Sequence, residues 1–216
     1  MIMEKPKAIG FYNYTVILTY TGMLCAFVSI LMALNYRFWD SLIFLMISGL
    51  CDMFDGAIAS TNKKRSDAEK RFGIQIDSLS DLVSFGVAPA IFVYMICDKN
   101  LMAGIIGACF VLAALIRLAF YNVCEEERQK ATTDKRSVFF GVPVTTIAVV
   151  LPVVYLLEGK KVISGMFPYL LLLILVGTGF LLPIEIKKPK VIGKICLIVV
   201  GLIEALGVLF LGWDLL

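Results

Sequence analysis

Apolar stretches about as long as a membrane-crossing helix follow one another along nearly all of this 216-residue chain. A helix needs about 20 residues to cross the hydrocarbon core of a bilayer. Within that core every backbone amide must be bonded internally, so spanning segments are helices or the strands of a closed barrel. The stretches here run at about the helical length. They predict seven helical spans, at Tyr14–Leu34, Phe38–Ala59, 72–97, 101–123, 138–157, 163–183 and 191–213. Charged residues make up 17% of the chain, hydrophobic ones 60%, and mean hydropathy is +0.90. Soluble domains carry about 25% charged residues, so a soluble globule is excluded. The expected fold is all-α: one polytopic membrane helical bundle over residues 1–216, with a core at about 10–190 and an additional C-terminal span at about 191–213.

The basic residues orient the bundle. With the N-terminus in the cytoplasm, 15 of the 20 Lys and Arg fall on the cytoplasmic side and four on the other, with Arg117 inside a span. That imbalance follows the positive-inside rule. The two longest hydrophilic segments, 61–71 and 125–137, are both cytoplasmic. The second reads as a solvated loop. The chain has no histidine and its six cysteines form no CxxC pair, so neither a zinc site nor a redox motif is expected. The aromatic residues read as lipid-facing or packing groups, and no nucleic-acid partner is expected.

Against this apolar background stand four aspartates, Asp52 and Asp55 near the end of the second span and Asp77 and Asp81 near the start of the third. Spacings of three and four put each pair on one helix face. The short connection lets the two helix ends lie antiparallel, so all four can face one point. Carboxylates inside a membrane are costly and mark function, and four together need a cation to hold them. An all-oxygen donor set suits Mg²⁺, Mn²⁺ or Ca²⁺. Such clusters serve phosphoryl chemistry, with one or two cations on phosphate oxygens and a spare carboxylate as general base. The plain alternative is four helix-terminal aspartates reaching to water. Gly56 and Gly73 leave room for a bulky ligand at the mouth of the cluster.

The run Asp52-x-x-Asp55-Gly56-x-x-Ala59 followed by Gly73-x-x-x-Asp77-x-x-x-Asp81 resembles the signature of the CDP-alcohol phosphatidyltransferases. Further landmarks are similar to the phosphatidylserine synthase branch: Asp77 to Ala90, Arg117 to Val123, and Phe140-Gly141-Val142-Pro143. The resemblance implies a six-helix core, usually as a homodimer. It implies Asp52, Asp55 and Asp77 as ligands of Mg²⁺ or Mn²⁺, with Asp81 completing the site or deprotonating the acceptor. Gly56, Ala59, Ser60, Gly73 and the basic residues Lys63, Lys64, Arg65 and Arg71 would lie at the nucleotide. Arg117 and Asn122 would meet the lipid phosphate or serine. For Arg117 a salt bridge to a site aspartate, or snorkelling, is the plainer reading.

The implied reaction moves a phosphatidyl group from CDP-diacylglycerol, drawn from the surrounding membrane lipids, to the hydroxyl of L-serine, releasing CMP. A covalent phosphohistidine route is closed to a chain without histidine. Two departures from the family pattern are visible. Ser60 stands where an arginine is usual, and the loop from Ser60 to Gly73 is longer than usual. Lys63, Lys64, Arg65 or Arg71 could replace the missing charge, though lysine cannot reproduce a bidentate contact. Rival readings are the same chemistry on glycerol 3-phosphate or an inositol phosphate, a non-catalytic CDP-lipid-binding paralogue, and a cation transporter.

Overall fold

Small residues let the first two helices come together. The computed structural model describes residues 10–59, 61–62, 66–131 and 138–187. Helix α1, Tyr14–Leu34, is capped by the Asn13 side chain, which accepts from the Thr15 amide at 3.1 Å. It turns through 35–37, with Tyr36 at positive φ, into α2, Phe38–Ala59. A three-residue turn forces an antiparallel pair. Gly22, Ala26, Ser29 and Ala33 form a buried stripe on α1, the small-residue pattern by which membrane helices approach closely. A Cβ on Gly22 would sit 3.1 Å from that of Cys51, and Ser29 donates to the Ser41 carbonyl at 2.7 Å.

Helix α3 runs continuously over Asp67–Ile96. It starts five residues before the expected span because Ser66 and Glu69 form a capping box: the Ser66 amide donates to Glu69 Oε2 at 2.8 Å and the Glu69 amide to Ser66 Oγ at 3.2 Å. Glu69 also accepts from Asn13 Nδ2 at 3.0 Å, tying the starts of α1 and α3 together. Directly after Asp81 the helix widens into a π turn, Leu82–Val87, where the Ala88 amide reaches back to the Val83 carbonyl. Pro89 follows, and its missing N–H would leave a carbonyl of the preceding turn without its usual donor. Such turns are frequent beside functional sites.

Helix α4, Leu101–Ala131, has 31 residues and is about 46 Å long at 1.5 Å per residue. It outruns the membrane core by several turns. The segment read as a loop from 125 is therefore helical as far as Ala131, a run of good helix formers joined by the Arg128–Glu125 pair.

The fifth expected span differs most. Val138–Phe140 is a strand, β1, paired antiparallel with β2, Glu185–Lys187, in the register Val138↔Lys187. The helical part begins only at a 3₁₀ turn, Val144–Thr146, leading into α5, Ile147–Gly159. Gly141 and Pro143 break the helix. The strand pairing, with the Gly141 amide on the Ile184 carbonyl at 2.8 Å and the Val142 amide on the Gly179 carbonyl at 2.9 Å, satisfies the backbone instead. Helix α6, Phe167–Leu181, starts at Phe167, with Pro168 in its first turn, rather than at 163. The expected span at 191–213, with Glu204, lies outside the described residues.

Phe85, Phe92, Phe110, Leu45, Ile147 and Leu173 pack the centre. Ile17, Phe27, Ile105, Leu115, Phe120 and Leu175 point outward and are exposed. A bundle apolar on its outer face as well as its inner one is built for lipid. Among the described residues three helices, α1, α3 and α4, are long and apolar enough to cross a membrane.

Gly141 is the joint that fastens the α5 lead-in to α6. Its φ is +71°, and an added Cβ would lie 2.8 Å from the Phe180 carbonyl oxygen. Gly141→Ala is expected to destabilise the fold by about 2 kcal/mol or more. The check is the apparent Tm of the detergent-solubilised protein, and an unchanged Tm would contradict the joint.

Candidate active site

The C-terminal end of α2, the first half of α3 and the last third of α4 meet at one end of the bundle. Asp52 and Asp55 project from α2, Asp77 and Asp81 from α3. One carboxylate oxygen each from Asp52, Asp55 and Asp77 lies within 4.8 Å of the others. Asp81 is within hydrogen-bonding reach of Asp52, and Asp77 of Asp55. Helix α1 contributes Thr19, whose hydroxyl donates to Asp55 Oδ2 at 3.0 Å, and Asp55 is itself buried. Behind the aspartates a small chamber of about 10 Å³ is lined by the four carboxyls with Thr19, Ser48, Ser80 and Ser84. That is room for about one water or one ion.

In front opens a cleft of about 620 Å³. Asp52, Asp77, Asp81 and Gly56 form one wall. The facing wall is a single stripe of α4, Arg117, Tyr121, Glu125 and Arg128, at spacings of four, four and three. Pro143, Val144 and Thr145 close the third side, held there by the Gly141 joint. Arg117 is buried, with its guanidinium carbon 4.5 Å from the centre of the Tyr121 ring, a cation–π distance. Asn122 accepts from Ser78 Oγ at 2.7 Å, bridging α4 to the turn after Asp77.

Two apolar grooves run into this cleft. One, about 330 Å³, lies between α2 and α5, is lined by Met46, Leu50, Met53 and Val149, and reaches Asp52. The other, about 400 Å³, is lined by Ile116, Phe120, Phe180 and Leu181 and reaches Arg117 and Tyr121.

Of the residues expected at the site, Asp52, Asp77, Asp81, Gly56, Arg117 and Asn122 line this cleft, and Asp55 lines the chamber behind it. Ala59, Gly73 and Arg71 are not among its lining residues, and Arg71 is solvent-exposed. Ser60, Lys63, Lys64 and Arg65 lie outside the described residues. Sequence reasoning missed Thr19, Glu125 and Arg128. The four-four-three stripe starting at Arg117 was a usable signal for the last two. Thr19, one of three threonines on the apolar helix α1, gave none.

The donor set is all carboxylate oxygen at spacings a hard divalent cation can bridge, so Asp52, Asp55 and Asp77, with Asp81 beside them, could hold one. An integral membrane bundle with a carboxylate cluster, a polar cleft and flanking apolar grooves fits a class of enzymes that work on lipid-linked phosphates. A family model described as CDP-alcohol phosphatidyltransferase matches residues 12–182. The chain belongs to this family of divalent-metal-dependent enzymes.

It is similar to several named relatives. With the CDP-diacylglycerol--serine O-phosphatidyltransferase of Helicobacter pylori strain J99 it shares 30% identity over 182 residues, 83% of this chain and 73% of the relative. With the archaetidylserine synthase of Methanothermobacter thermautotrophicus it shares 28% over 193 residues, 89% of this chain and 76% of that protein. With the CDP-diacylglycerol--serine O-phosphatidyltransferase of Saccharomyces cerevisiae it shares 37% over 129 residues, 58% and 45% of the two chains.

Thr19 orients Asp55, and groups that orient metal ligands typically change affinity ten- to hundredfold. Thr19→Val is expected to weaken Mn²⁺ binding by roughly that factor, read from the electron paramagnetic resonance signal of free Mn²⁺. Equal affinity in both proteins would remove Thr19 from the site.

Proposed function

We propose that this enzyme transfers the phosphatidyl group of CDP-diacylglycerol to the hydroxyl of L-serine, releasing CMP. The observation that carries the reading is the junction of the aspartate cluster with a polar cleft and two apolar grooves. A diphosphate and two acyl chains need both at once. The acceptor rests on the relatives, since serine is the alcohol common to the three names above. The strong excess of Lys and Arg around the ends of α2 and α4 supports a cytoplasmic site. There the lipid would enter sideways from the inner leaflet and serine from solution. The homodimer implied by the family resemblance is part of the same reading.

One or two Mg²⁺ or Mn²⁺ ions held by Asp52, Asp55 and Asp77 would supply charge neutralisation at the diphosphate. Asp81, beside Asp52, accepts the serine hydroxyl proton as the oxygen attacks the lipid-bearing phosphorus. The bond from that phosphorus to the bridging oxygen breaks, and CMP leaves with the electron pair. Arg117, buried beside the cleft, balances the diphosphate charge, with Tyr121 fixing its position. Displacement is direct, with no covalent enzyme intermediate.

The test is CMP release from CDP-diacylglycerol in detergent with Mn²⁺ or Mg²⁺, comparing L-serine, glycerol 3-phosphate, inositol, inositol phosphate and no acceptor. Release driven by L-serine, and reduced about 100-fold or more by Asp81→Asn, is the expected result. Release driven only by another acceptor would move the chain to a different branch. Tight CDP-lipid binding without release from any acceptor would make it a binding protein. The basic residues Lys63, Lys64 and Arg65 are proposed to replace the usual arginine at Ser60. Their joint replacement by alanine is expected to raise the KM for CDP-diacylglycerol, and an unchanged KM would end that idea.

A further inference from the structure

Three ion pairs are formed between described side chains three residues apart, and one of them is unlike the others. Arg37–Asp40 and Lys70–Asp67 have side chains 63% and 35%, and 48% and 91%, exposed. They are ordinary surface pairs of small energetic weight. In Arg128–Glu125 each side chain is only 24% exposed. The contact is two-pronged, with Nη2 on Oε1 at 2.5 Å and Nε on Oε2 at 3.0 Å. Both residues line the catalytic cleft, whereas their neighbours Glu126 and Glu127 point to solvent.

We propose that Glu125 and Arg128 recognise the α-ammonium and α-carboxylate of the acceptor amino acid. The inference rests on the serine reading above and names the residues that select its acceptor. Helical side chains lean toward the N-terminus of their own helix. From Glu125 and Arg128 that direction leads back along α4 toward Asn122, which is bonded to Ser78 next to Asp77. Glu125 stands about 6 Å of helix rise beyond Tyr121, and Arg128 a further turn out. An acceptor held at this pair therefore lies between the open mouth and the aspartates, with its hydroxyl turned inward.

The charge arithmetic favours a zwitterion. A phosphorylated acceptor would meet Glu125 as a repelling neighbour, and a neutral polyol would gain nothing from either charge. An α-amino acid carries its two charges on one carbon, about the spacing of a carboxylate and a guanidinium in contact. Before the acceptor arrives, the pair keeps two half-buried charges compensated.

The experiment compares three acceptors in the Mn²⁺-supported CMP-release assay: L-serine, ethanolamine (ammonium only) and 3-hydroxypropionate (carboxylate only). In the unaltered enzyme each single-charge analogue is expected to have a kcat/KM at least about tenfold below that of L-serine. Arg128→Gln is expected to raise the KM for L-serine about ten- to hundredfold while leaving that for ethanolamine within about twofold. Glu125→Gln is expected to do the same, with 3-hydroxypropionate as the unaffected acceptor. The KM for CDP-diacylglycerol should hold in both variants, which shows an intact site.

The exchanged pair, Glu125→Arg with Arg128→Glu, restores an ion pair but should not restore the KM for L-serine. Recovery in the exchanged pair, or equal effects on all three acceptors, would make the pair a structural brace and overturn the inference. Should these variants fail to fold, Arg128→Lys and Glu125→Asp carry the test, with the same split between the acceptors expected and equal effects on all three overturning the inference. Serine-driven release without discrimination sinks this inference alone, whereas no serine-driven release sinks the proposed function and this inference with it.

Discussion

Four carboxylates repel one another, and in a helical bundle nothing about their own packing would hold them together. Their convergence therefore has to be enforced by surrounding structure and offset by positive charge. The enforcement begins with α1. Its buried stripe of Gly22, Ala26, Ser29 and Ala33 draws α2 close, and Thr19, on the same helix, reaches Asp55 directly. The Asn13–Glu69 bond sets α3 against α1 at the same end. Asp52 and Asp55 are thus brought to Asp77 and Asp81 by contacts made largely away from the carboxylates. A divalent cation would convert the remaining repulsion into a reason for the arrangement to persist.

The cleft's other two sides are built by different means. Helix α4 continues past the apolar segment, so its charged turns become a wall rather than a loop, and Arg117, Tyr121, Glu125 and Arg128 fall on one face. The third side depends on a short stretch of strand. Pairing of β1 with β2, and the close approach of Gly141 to the end of α6, carry Pro143 to Thr145 up against the aspartates. Apolar grooves then open on either side of this third wall. A polar reaction centre therefore sits within reach of acyl chains without being exposed to them.

The fold class and the first four helices were legible because hydropathy and turn residues carry them. Tyr14–Leu34 and Phe38–Ala59 match in full. The same signal misread the region from 138, where the run Val138–Phe140 is apolar enough for a span. Hydropathy measures transfer to an apolar phase and is blind to whether the backbone there is helix or strand. Gly141 and Pro143 carried that information, and it became decisive only with β2 present, some 45 residues on, as partner. The start of α3 was missed for a related reason: the Ser66–Glu69 capping box lies in a segment whose charge suggested a loop.

By itself the sequence determined that this is a membrane helical bundle, that it carries two aspartate pairs on helix faces, and that the pairs answer to the phosphatidyltransferase signature. These are local properties, set by periodicity and by the cost of charge in an apolar phase. Only the tertiary structure decided what stands opposite the aspartates. The α4 stripe, Thr19 beside Asp55 and the strand-held turn at Pro143 come from helices and strands distant along the chain. Their meeting depends on which small residues allow close approach and which backbone groups find partners, and neither is written in any one segment.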